Sequence, residues 1–80
     1  MKIDLPVEPG DTVYYLVGID TPRIEVGTVE GAEIRNGYTR IIVSFSYFKA
    51  GILANIIGTR LFLSEKEANL ALSEWTKRTN

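Results

Sequence analysis

The chain has 80 residues, no Cys and no His, and 9 Lys and Arg against 10 Asp and Glu, for a formal net charge of −1. One domain is expected at this length, near the lower size at which a core supports itself, with no disulfides to assist it. The commonest general base, the thiol nucleophile and the usual zinc ligands are all missing, and the near-neutral charge argues against a general nucleic-acid coat.

Residues 1–10 read as a lead-in. Asp4 and Pro6 interrupt the start where a secretory signal needs a continuous apolar run. Pro6 and Pro9 oppose regular pairing, and Pro9-Gly10-Asp11 is a turn. Thr12–Val17 follows, rich in β-branched and aromatic residues, and is the first expected strand. Val13, Tyr15 and Val17 share one face and Tyr14 and Leu16 the other. Both faces are apolar, so the strand is either covered twice or turns one Tyr hydroxyl to water.

Gly18 to Pro22 is a loop, and Arg23-Ile24-Glu25-Val26 alternates cleanly. Val29 breaks the alternation, and a bulge at Gly27 would place Ile24, Val26 and Val29 on a common side. Asn36-Gly37 between strand-like residues is the sharpest local signal, a two-residue hairpin turn. Its register sets Arg35 opposite Tyr38, Ile34 opposite Thr39, Glu33 opposite Arg40 and Ala32 opposite Ile41. Opposite charges then meet on the outer side, and Ala32, Ile34, Ile41, Val43 and Phe45 share the inner side. Residues 46–58 are ambiguous, because Ile52-Leu53-Ala54-Asn55-Ile56-Ile57 fits a buried strand or one helical turn.

Gly58 and Thr59 lead into a short strand, Arg60 to Leu63, and then a helix. Ser64 and Glu67 form a capping box, and Leu63 is placed to staple against Ala68. Ala68, Ala71, Leu72 and Trp75 make one apolar stripe. A helix this short needs a surface to lie on. The expected fold is α+β, a small, strongly bent antiparallel β-barrel of about five strands closed by one C-terminal helix.

Two stretches carry a resemblance. Pro9-Gly10-Asp11-Thr12-Val13-Tyr14-Tyr15, and Gly58-Thr59-Arg60-Leu61-Phe62-Leu63-Ser64 followed by Glu67-Ala68, resemble small proteins of Gram-positive bacteria, their phages and mobile elements. In those proteins a Gly-Asp-x-Val-Tyr strand opens an SH3-like barrel, and a Phe-Leu-Thr-x-Glu-Glu-Ala box starts a closing helix. The match covers the two ends, about a quarter of the chain. Lys66 stands where the second box usually has an acid, and Ile52 to Ile57 has no counterpart. The resemblance implies an SH3-like fold and carries over no functional residue.

No phosphate-binding loop or nucleophile elbow occurs. Asp4, Asp11 and Asp20 sit beside Pro or Gly or in turn-like sequence, where Asp serves local hydrogen bonds, and the acids lack calcium-loop spacing. No catalytic, cofactor-binding or metal-binding residue is therefore assigned, and the chain is expected not to be an enzyme. Charge is uneven along it. Residues 1–30 hold Lys2 and Arg23 against six acids, and residues 31–64 hold Arg35, Arg40, Lys49 and Arg60 against Glu33 alone.

The leading expectation is a cytoplasmic module that binds a protein partner or a second copy of itself. Its candidate contacts are the apolar Ile52, Leu53, Ile56 and Ile57, together with Leu70 on the far side of the helix. The alternative is weak binding of single-stranded nucleic acid by Arg35, Tyr38, Arg40 and Lys49, with Tyr47 and Phe48 on the next turn, where aromatics and cations interleave on a sheet. No membrane partner is expected, because the apolar run from Gly51 to Gly58 is far below the roughly 20 residues that span a bilayer.

Overall fold

The computed structural model describes residues 7–18 and 20–79, with side chains as far as Lys77. The lead-in before Val7 lies outside the described residues. In chain order the elements are β1 (Thr12–Val17), β2 (Arg23–Arg35), β3 (Tyr38–Ser44), β4 (Lys49–Leu53), a 3-10 turn (Ala54–Ile56), β5 (Leu61–Phe62) and α1 (Glu65–Thr79). Asn36 and Gly37 take positive φ angles of 53° and 81°, the backbone that a tight two-residue hairpin requires. The register is the one expected from the sequence, with Arg35 opposite Tyr38, Glu33 opposite Arg40 and Ala32 opposite Ile41.

All pairing between strands is antiparallel, in the order β4-β3-β2-β1-β5. β4 and β5 are the two edges, so the five strands form an open sheet where the strand spacing implied a closed barrel. β2 is long enough to pair with β1 through its first half and with β3 through its second. A register shift between Val29 and Gly31 leaves Glu30 as the extra residue. The bulge therefore falls at Glu30 and not at Gly27, which pairs regularly with Val13. Val26 keeps the side of Ile24 and stays exposed, while Val29 is buried on the opposite side.

Alternation gives the sheet two apolar faces. Val13, Val29, Ile41, Val43, Ile52 and Leu61 form one core with Val7 and Phe45, and Ile56 and Ile57 pack against it. The turn after Val7 is tied to β2, because the Gly10 amide donates to the Val29 carbonyl and the Val29 amide to that of Asp11, both at 2.8 Å. On the other face Leu16, Phe62 and Ala68 are buried among Tyr14, Ile24, Ala71, Leu72 and Trp75. β1 is thus covered on both sides, which accounts for its apolar residues at odd and even positions. Ala32 and Ile34 share the side of Ile41 but lie exposed near the hairpin tip, beyond the reach of the core.

Helix α1 begins where Ser64 Oγ accepts the Glu67 amide at 3.2 Å, satisfying one of the first-turn donors. Ala68 is fully buried, whereas Leu63, past the end of β5, stays exposed. Among the described residues no helix is long and apolar enough to cross a membrane.

Candidate functional site

Tracing the ladder across the sheet locates its exposed surface. Thr28, Ser44 and Lys49 form one rung, Gly31, Ile42 and Gly51 the next, and Glu33, Arg40 and Leu53 a third; Arg35 and Tyr38 close the hairpin. These residues share the face on which α1 packs. The helix meets β5, β1 and β2, so among the described residues it roofs one half of that face and leaves the β3–β4 half open.

On the open half Tyr38 is 62% exposed and Leu53 40% exposed. Together with Arg35, Asn36, Arg40 and Gly51 they line one shallow depression. In the rung beside it Ile42 is flanked by glycine on both neighbouring strands, Gly31 on β2 and Gly51 on β4. Arg40 lies across Gly51. A Cβ built on Gly51 would stand 2.6 Å from Arg40 Nη2 and 2.9 Å from its Cζ and Nε. Nη2 donates to the Gly51 carbonyl at 3.4 Å, and Nη1 is 4.0 Å from Glu33 Oε1. Both contacts are long, so they take up only part of the five N–H donors of a guanidinium. Arg35 makes no ion pair among the described residues.

The residues considered for nucleic-acid binding divide. Arg35, Tyr38 and Arg40 come together around the depression, whereas Lys49 stands at the other end of the face, 3.1 Å from Glu30. Tyr47 is 95% exposed in the β3–β4 loop, and Phe48 stacks on Phe45 with ring centroids 4.8 Å apart. Both are a full strand length from Tyr38.

The residues considered for partner contact divide as well. Ile52 is 4% exposed and belongs to the core, and Ile56 and Ile57 pack against that core. Only Leu53 of that stretch faces outward, into the same depression as Tyr38. Leu70 is 60% exposed on the outer side of α1, where a single exposed Leu is ordinary. The part played by Gly51 escaped the sequence reading. Its one signal was a glycine inside a strand, a usual mark of close approach by another group.

Among the described residues no three acids group closely enough to hold a metal ion. The chain matches no protein-family model, no curated protein and no solved structure.

Proposed function

We propose that this chain is a non-enzymatic binding module that engages a protein partner, a second copy of itself included, through the open β3–β4 half of its outer sheet face. One observation carries the reading. Helix α1 covers half of a single face and leaves Tyr38 and Leu53 exposed between two arginines on the other half. Tyrosine and arginine are the side chains that protein contacts concentrate, around an apolar centre. Ile52, Ile56 and Ile57 drop out of the contact because the core uses them.

The wider setting belongs to the same reading. The strand order, the long β2 shared between two partners and the 3-10 turn before β5 support an SH3-like barrel opened between β4 and β5. A cytoplasmic protein of the kind found in phages and mobile elements of Gram-positive bacteria fits that fold.

Sedimentation velocity over a concentration series tests the contact. Mass should rise with concentration below about 1 mM, the level at which association is worth only about 4 kcal/mol. Tyr38→Ala with Leu53→Ser should hold the protein at the mass of one chain with its fold intact. A strict monomer that also retains no partner through this face would sink the reading.

Binding of single-stranded nucleic acid is the second reading, favoured by the meeting of Arg35, Tyr38 and Arg40 at one depression. Against it, Glu33 beside Arg40 and Glu30 beside Lys49 interrupt the positive track. It predicts salt-dependent binding of oligothymidylate that weakens in Arg35→Ala.

A further inference from the structure

We infer that the depression around Arg40 recognises a carboxylate on an acidic segment of the partner protein, with the bare backbone of Gly51 holding the Arg40 guanidinium in place to receive it. The inference rests on the contact face proposed above and names what that face reads. Arginine side chains on a sheet surface ordinarily sample many rotamers, and ordering one costs entropy when a ligand binds. Here the guanidinium lies against Gly51, in space that any side chain at that position would fill. A long bond to the Gly51 carbonyl and the more distant Glu33 carboxylate flank the group on two sides and leave donors over. A planar guanidinium matches a carboxylate in a two-point fork. Arg35 supplies a second cation at the same depression, and Tyr38 and Leu53 offer apolar and hydroxyl surface beside it.

Charge decides the class of ligand. The depression carries Arg35 and Arg40 against Glu33, a net +1, and the next cation along the face, Lys49, is neutralised by Glu30. One or two carboxylates suit that field. A polyanion with evenly spaced phosphates would have to pass Glu33 or Glu30 wherever it lay along the strands, and like charges repel there.

Amide NMR titrations of the full chain with polyglutamate, polyglutamine and oligothymidylate test the inference. Polyglutamate should shift the amides of Arg35, Tyr38, Arg40 and residues 51–53, and polyglutamine should shift none of them. Arg35→Gln, at an exposed position, should weaken polyglutamate binding without touching the core. Gly51→Ala should weaken it severalfold by displacing Arg40, and Arg40→Lys should do the same although the charge is kept. Equal binding by Arg40→Lys would show that a point charge suffices and would overturn the role given to Gly51. Absence of shifts with polyglutamate, or shifts elsewhere on the molecule, would overturn the inference while self-association through Tyr38 and Leu53 left the proposed contact standing. Tighter binding of oligothymidylate at these residues would overturn it in favour of nucleic acid.

Discussion

A Cβ placed on Gly27 would come within 2.5 Å of Val43 Cγ1 and 2.8 Å of the Phe45 ring. Both neighbours are core side chains, so they have little room to retreat. Gly27→Ala should therefore destabilise by about 1–3 kcal/mol, the usual cost of overpacking. At Gly31, next to the bulge, the same atom would meet nothing within 4 Å. Gly31→Ala should stay within about 0.5 kcal/mol of wild type. Urea melts of the two variants compare them directly, and equal midpoints would show that Val43 and Phe45 shift freely. The sequence marks both positions as glycine within a strand-like run, and a glycine there serves either a bulge or a close approach. Spacing does not say which. Only the side chains across the sheet separate the two, and they come from β3 and the loop beyond it.

At the level of elements, β4 shows why residues 46–58 resisted reading. Ile52 points into the core and Leu53 out of it, the alternation of a strand. The strand ends at Leu53 and a 3-10 turn begins at Ala54, so neither period runs long enough to declare itself. The contrast makes a prediction. Ile52→Lys buries an unpaired charge, which costs several kcal/mol against a total stability of about 5 kcal/mol for a domain this small, and it should unfold the protein. Leu53→Lys should leave the circular dichroism spectrum unchanged while abolishing association. If both variants folded alike, the assignment of Ile52 to the core would fail.

Helix α1 was the most legible element, since its cap, its apolar stripe and its need for a sheet are all local patterns. Trp75 is only half-buried, with the Arg60 guanidinium 4.5 Å above its ring. Trp75→Ala should cost about 2 kcal/mol, below the 3–5 kcal/mol of a fully buried aromatic. Ser64→Ala should cost about 1 kcal/mol by removing the cap. Denaturant midpoints in the reverse order would mean that the cap, and not the stripe, holds the helix down.

For the molecule as a whole, the extents are 44 × 24 × 21 Å, and β2, with 13 residues, is the longest strand. Parity along the strands correctly assigns Ala32 and Ile34 to the side of Ile41. It carries no information on where the covering layer stops, so their exposure was not legible. The candidate face was half legible for a similar reason. Hairpin register brings Arg35, Tyr38 and Arg40 together, but the partition of the face depends on where α1 comes to rest. The path of β1 has a consequence in time. Tyr38 pairs with Arg35 across a two-residue turn, while Tyr14 waits for Phe62, most of the chain away. The hairpin closes early, in about 1–10 μs by itself, and the β1–β5 pairing carries the larger loop-closure cost. Stopped-flow kinetics should then find that Gly37→Ala slows folding, while Phe62→Leu mainly speeds unfolding. Slowed folding in Phe62→Leu would reverse that order. On a ribosome adding about 5–20 residues per second, β1 emerges roughly 2–10 s before the strand that completes it. For that interval Tyr14 and Leu16 have neither β5 beside them nor α1 above, and their apolar side chains wait uncovered for the last quarter of the chain.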